Sequence, residues 1–296
     1  MVDRIQSIAD GTESEREAYL DHLGWAENPF SRPPSMDEYV LPSEGSIADI
    51  ASHLTDYTGP VLVHSEYSGV GKTTLLQMLL ESYDDKFETV GIGEHNVTAY
   101  ELISIVADEL GIGKSSSTKL TERKVRNFLK GYDRQMLIGI DEFGLNNSDT
   151  LHVIQFLNDL EQICVIMTGM TSQWNAIADL GSDGRAFQRR VSYELQLEPL
   201  TRSQATELYK RRVATAVDVD HDDWSTVGLE PFTKAGLDAV YEHSDGVPAV
   251  MVAAISNLLG LGAYRFARVS DDEITEEIAG EVDYADPHAD TTSTSK

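Results

Sequence analysis

The chain has 296 residues, 41% of them hydrophobic, and its 50 acidic against 23 basic residues give a net charge of −27. That length holds one large or two modest domains with an ordinary apolar core, and a single cysteine excludes an intrachain disulfide framework. Acids spread along the whole chain exclude a generally basic surface and repel one another unless salt screens them, so the composition is that of a salt-adapted protein from a cell with high internal salt.

The N-terminus lacks the apolar core of a secretory signal. Glu13 to Leu23 is a polar, helix-like stretch, broken by the run Trp25 to Phe30; residues 32–42 read as a surface loop and Ser46 to Leu54 as a helix. Val61-Leu62-Val63 reads as a buried strand, followed by a small-residue turn, Gly71-Lys72-Thr73-Thr74 and a helix from Leu75. A strand follows at Phe87 to Ile92. Thr98-Ala99-Tyr100-Glu101 has capping-box form and opens a helix closed by Gly111-Ile112-Gly113. Leu120 to Leu129 is a further helix. Met136 to Ile140 has the continuous apolar character of a strand buried on both faces, and Asp141 and Glu142 stand at its end.

A helix at 148–160 leads to the strand Ile163 to Met167, where Cys164 reads as a small buried hydrophobe and Thr168-Gly169 ends the strand. A helix at 171–180 precedes the short strand Tyr193 to Leu197. Strands alternating with helices predict a parallel sheet covered on both faces. From Thr201 the chain turns helical, with segments at 201–217, 231–243, 247–261 and 270–279, the last started by Ser270. Val247 to Tyr264 is uncharged, but Pro248, Gly260 and Gly262 and a modest apolar density predict a buried helix rather than a membrane span. A soluble, cytoplasmic protein without membrane insertion is expected. The resulting division is an N-terminal helix and loop over 1–45, an α/β domain over 46–200, a helical lid over 201–280 and a disordered tail over 281–296.

The chemistry concentrates where strands end. A strand, a glycine-containing loop, Gly-Lys-Thr and a helix form a phosphate-binding context. Backbone N–H groups of Ser68, Gly69, Val70, Gly71, Lys72 and Thr73, with Thr74 beside them, can cradle phosphate oxygens of ATP at the positive end of the helix. Lys72 meets the β/γ-phosphates, and the Thr73 hydroxyl is placed for Mg²⁺. Asp141 can hold the same ion, and Glu142 is the natural base for an attacking water. Thr168 could bond that water or the γ-phosphate. One position departs from the motif: Glu66 stands where its first glycine belongs.

This order of motifs resembles the AAA+ ATPases, most closely the branch of origin-recognition-type initiators, general-secretion-pathway A ATPases and ATP-dependent transposition regulators, here in a haloarchaeal-like form. The likeness is carried by Glu27 to Phe30, Ser68 to Leu76, Ile138 to Phe143, Val165 to Met170, Phe187 to Val191 and Glu198 to Leu200, and covers about residues 25–280. It implies an α/β P-loop NTPase fold, a doubly wound parallel sheet with a C-terminal all-α lid, and a Mg²⁺-dependent ATPase that forms homo-oligomers. It implies that Thr168 is the sensor-1 residue and Arg190 the trans-acting arginine finger, with Arg189 next to it. It also implies adenine packing near Asn28-Pro29-Phe30 and Val40-Leu41. Ala249 stands where the family carries its sensor-2 arginine after Gly246-Val247-Pro248, and a C-terminal winged-helix domain is not expected.

The leading expectation is an ATPase acting on DNA in replication, transposition or mobile-element maintenance. A nucleotide switch that binds a protein partner with little hydrolysis is the alternative, favoured by Glu66 and Ala249, and a secretion or envelope-assembly ATPase is the second. For DNA the candidate face is residues 114–134, where seven basic residues against Glu122 and Asp133 leave +5 in a chain of −27. The overall charge itself generates a test. Dialysis from molar KCl to low salt is expected to lower the melting temperature substantially; an unchanged melting temperature would remove the salt-adapted reading.

Overall fold

A computed structural model describes residues 2–56, 59–93, 97–143 and 148–286. The elements run α1 (Val2–Leu23), α2 (Glu44–Asp56), β1 (Val61–Ser65), α3 (Lys72–Ser82), β2 (Phe87–Ile92), α4 (Ala99–Glu109) and α5 (Thr118–Leu129). They continue as β3 (Gln135–Ile140), α6 (Ser148–Asn158), β4 (Ile163–Met170), α7 (Thr171–Ala176), α8 (Ser182–Gln188) and β5 (Tyr193–Gln196). The last are α9 (Arg202–Ala216), α10 (Lys234–His243), α11 (Pro248–Val269) and α12 (Glu276–Ala279). The chain divides into two compact units, Pro42–Glu198 and Met1–Leu41 together with Pro199–Lys296. The N-terminal stretch, expected as a separate element, thus belongs with the C-terminal helices.

The first unit is built on a five-stranded sheet in the order β2-β3-β4-β1-β5, with every pair parallel. From β1 the chain crosses to the far edge at β2, and from β4 it crosses β1 to reach β5. β1 and β4 are therefore neighbours whose onward connections leave in opposite directions, the place where open parallel sheets bind ligands beyond their carboxyl ends. Every residue of β1 is buried, as central parallel strands require. Gly139 on β3 lets α3 approach closely: a Cβ there would stand 2.9 Å from Leu76 Cδ1 and Leu80 Cδ1. α4 begins at the expected capping box, with Glu101 N–H donating to Thr98 Oγ1 and Thr98 N–H to the Glu101 carboxylate.

In the helical unit, α1 and α9–α12 share a core of Tyr19, Phe30, Tyr209, Met251, Leu258 and their neighbours. α11 is long and apolar enough to cross a membrane by length and composition alone, while Met251, Ile255, Leu258 and Ala263 on it are buried in this core.

Several boundaries differ from expectation for local reasons. β4 continues through Thr168 and Gly169 to Met170, because it pairs with β1 as far as Ser65↔Met170. Ser270 does not start a helix: it is left-handed (φ 52) and closes α11. Residues 271–275 instead reach the Phe232↔Ile274 bridge, and Thr275 caps the short α12 by accepting from Ile278 N–H. α8 was not expected; Gly181 (φ 78) reverses the chain between it and the preceding turn. Of the expected disordered tail, 287–296 lies outside the described residues, but Tyr284 is packed, stacking on His243 at 5.0 Å and donating its hydroxyl to Ala279 O at 2.9 Å.

Candidate functional site

β1 delivers the chain to the carboxyl edge of the sheet at Ser65, whose buried hydroxyl accepts from Tyr67 N–H at 3.1 Å and starts the turn. Gly69 (φ 77) and Gly71 (φ 106) are left-handed, a backbone that side chains rarely tolerate. Gly71 caps α3 without any side-chain bond, and no acidic residue occupies the first turn. The first N–H groups of α3 lack intrahelical acceptors, and no acid of the helix's own first turn offsets its positive end. Lys72, in the first turn, folds its ammonium back over the loop: Nζ donates to Tyr67 O at 3.0 Å and lies 3.5 Å from Met170 Sδ. Burial pushes its pKa down, while Asp141 and Glu142 act in the opposite direction. Thr73 and Glu66 are exposed, so Glu66 adds no side chain to the buried base of the loop.

The acidic side is assembled by β3 and β4. Asp141 follows β3 and its N–H donates to Ile92 O at 2.8 Å, extending the ladder by one residue. Ile140 pairs with Met167, so Asp141 falls opposite Thr168. The fully buried Thr168 hydroxyl donates to Asp141 Oδ1, which also accepts from Glu142 N–H at 2.9 Å. Thr168 thereby fixes the carboxylate expected to hold metal, and its own hydrogen is spent on that bond. Glu142 is exposed and left-handed (φ 47), an uncommon backbone for a non-glycine residue of the kind that concentrates at functional sites. The loop and helix-end amides, one ammonium, an exposed hydroxyl and a fixed carboxylate form a donor set that fits a nucleotide phosphate with a hard divalent cation.

Arg190 is not brought into this cluster. Ser192 N–H donates to Pro60 O at 2.9 Å, which ties the segment to the opposite end of β1. Five strand residues at about 3.3 Å each separate that end from the loop by roughly 16 Å. A Cβ on Gly59 (φ 151) would stand 2.3 Å from Arg190 O, so this anchoring is tight. The half-exposed guanidinium pairs with Asp159, at 3.1 Å to Oδ1 and 3.3 Å to Oδ2. Arg189 is exposed beside it.

In the helical unit, Phe30 is buried and stacked on Tyr209 at 5.4 Å, Val40 is buried and Leu41 exposed. Asn28 donates to Ser256 Oγ at 3.3 Å. Ala249 is exposed in the first turn of α11. Along α5, Lys119 pairs with the buried Glu122, Lys124 donates to Ile112 O, and Arg126 lies over the Phe156 ring. Lys114, Arg123, Lys130 and Arg134 are exposed and make no ion pair among the described residues.

Sequence reasoning missed two residues at the site. Met170, which touches Lys72, ends the stretch Val165 to Met170 but receives no role of its own from it. His64 is buried in β1 with Nδ1 2.8 Å from Thr171 Oγ1, joining the loop-bearing strand to α7. Burial pushes its pKa below the ordinary range against the pull of Glu194 and Glu198. Only a histidine inside an apolar strand could have drawn attention to it.

Residues 39–177, just under half of the chain, match the family model described as an AAA domain. The chain carries a P-loop AAA fold. The ADP form of the ORC2 protein of Aeropyrum pernix superposes with a TM-score of 0.59 at 10% identity, covering 86% of this chain and 70% of that one. The Aeropyrum pernix ORC1 protein in complex with DNA gives 0.58 at 15% identity over 83% of this chain and 66% of that one. An uncharacterized HTH-type transcriptional regulator of Methanocaldococcus jannaschii is 23% identical over 152 residues, 51% of this chain and 36% of the regulator. The chain thus spans about a third of that curated relative's length.

The Thr168–Asp141 bond has a measurable consequence. Thr168→Val should raise the Mg²⁺ concentration needed for half-maximal ATP binding about tenfold, since a lost hydrogen bond to a charged group costs on the order of 1.5–3 kcal/mol. Thr168→Ser should restore it. Equal Mg²⁺ titrations for all three proteins would show that the hydroxyl does not act through Asp141.

Proposed function

We propose that this protein binds ATP with Mg²⁺, hydrolyses it as an oligomer and acts on DNA. The observation that carries the reading is the convergence, at the carboxyl ends of three adjacent strands, of the phosphate loop after β1, Asp141 and Glu142 after β3, and Thr168 within β4. Ser68 to Thr74 would hold the triphosphate, with Lys72 exchanging Tyr67 O for β/γ-phosphate oxygens. Thr73 and Asp141 would hold Mg²⁺, which supplies charge neutralisation when bound. Glu142, exposed beside them, would orient the attacking water and accept its proton. Arg190 sits too far from its own loop to help, which supports a role at a neighbour's γ-phosphate.

The Aeropyrum pernix structures, solved with ADP and with DNA, support the nucleotide and DNA parts of the proposal. The basic stretch 114–134, α5 and the segments flanking it, supports the latter physically. Four exposed cations without ion-pair partners among the described residues suit the phosphate backbone, which needs positioned charge rather than sequence readout. Glu66 and Ala249 favour a second reading, a nucleotide switch for a protein partner with little turnover, because the lid lacks an arginine at Ala249 to grip the γ-phosphate.

Glu142→Gln keeps the side chain's shape and removes its basicity, so it should bind ATP normally and turn it over at least about 100-fold more slowly. Arg190→Ala should also bind and hydrolyse slowly, and mixing it with Glu142→Gln should restore part of the turnover. Turnover in Glu142→Gln close to wild type would favour another base. A mixture no faster than its components would leave Arg190 without a trans role.

A further inference from the structure

Met170 closes β4 directly beside the root of the phosphate loop. Its Cα pairs in register with Ser65, the last residue of β1, so its position is set by the sheet and not by a side-chain choice. Gln173 Oε1 accepts from Met170 N–H at 2.9 Å and fixes the turn into α7. From there the thioether reaches Lys72 Nζ at 3.5 Å, the only sulfur contact of that ammonium among the described residues. Met170 and Met78 are partly exposed, whereas Met136, Met167 and Met251 are fully buried. An oxidant that enters the loop therefore meets this sulfur before it meets those.

We propose that Met170 is an oxidation site that gates nucleotide binding by capturing Lys72. A hydroperoxide transfers one oxygen to the sulfur: the S–O bond forms as the O–O bond breaks, the sulfur loses two electrons, and hydrogen peroxide leaves as water. The product is a sulfoxide, whose oxygen is a far stronger hydrogen-bond acceptor than a thioether sulfur. Placed on a sulfur already in contact with Lys72, that oxygen accepts a charge-assisted bond from Nζ and retains it. Lys72 must leave its present partners to meet the β/γ-phosphates, so oxidation weakens nucleotide binding. Methionine sulfoxide reductases reverse the modification. The inference rests on Lys72 being the phosphate ligand, as proposed above.

The test uses the full chain in molar KCl, treated with hydrogen peroxide until peptide mass spectrometry reports one oxygen on Met170, and titrated with fluorescent ATP before and after. The wild-type Kd should rise at least about tenfold, equivalent to about 1.4 kcal/mol, and should recover after treatment with the reductases. Met170→Leu, compared with its own untreated state, should show no rise, although the exposed Met36 and the partly exposed Met78 are still present to be oxidised. A peroxide-resistant Kd despite full Met170 oxidation would overturn the proposal. So would an equal rise in Met170→Leu, or a Met170 that stays reduced while Met36 is oxidised. Failure of untreated wild type to bind ATP would overturn both this inference and the nucleotide reading beneath it, whereas the other failures leave that reading standing.

Discussion

The structure turns on one constraint: the loop between β1 and α3 must reverse the chain tightly and leave the first amides of α3 without intrahelical acceptors. Gly69 and Gly71 take left-handed angles to turn the chain, and α3 starts immediately afterwards with no acid in its first turn. The bare helix end and the Lys72 ammonium then concentrate positive potential at one point. Lys72 donates to Tyr67 O, which keeps this half-buried cation partnered. Everything else in the sheet unit serves this point. β1 is buried on all sides so that the loop leaves from a fixed root, and Gly139 lets α3 lie close against β3.

The acidic half of the site depends on strand register. Because β3 and β4 pair at Ile140↔Met167, Asp141 and Thr168 become neighbours although they are distant in sequence. A slip of one residue by either strand would turn its side chain to the other face and part the pair. The Thr168 hydroxyl and the Glu142 amide together hold one carboxylate oxygen of Asp141, which fixes the orientation of that side chain. The unusual backbone at Glu142 is sustained by the bonds on either side of it, Asp141 N–H to Ile92 O and Phe143 N–H to Thr168 O at 2.6 Å.

Much of this was legible in the sequence. The apolar runs gave the strands, and the capping boxes at Thr98 and Thr201 marked two helix starts correctly. Gly71-Lys72-Thr73 announced the loop. What could not be read was what depends on pairing. The extension of β4 to Met170 follows from β1's length, not from residues 168–170 themselves. The association of the N-terminal stretch with the C-terminal helices is a contact between ends of the chain, made by Tyr19 and Phe30 in a core shared with Tyr209 and Met251. Ser270 looked like a helix start because serine followed by acids is a capping pattern, yet tertiary pairing at Ile274 overrode it. Met170 and His64 gained their places only when the sheet brought them beside Lys72 and Thr171.

The central claim is that Lys72 and the loop around it form a phosphate site. Calorimetric titration of wild type and Lys72→Ala with ATP and Mg²⁺ in molar KCl tests it most directly, with circular dichroism confirming that both are folded. The account predicts a saturable heat for wild type and at least about 100-fold weaker binding for the variant, the loss expected when a charge-assisted contact disappears. Equal affinity in the two proteins would contradict it.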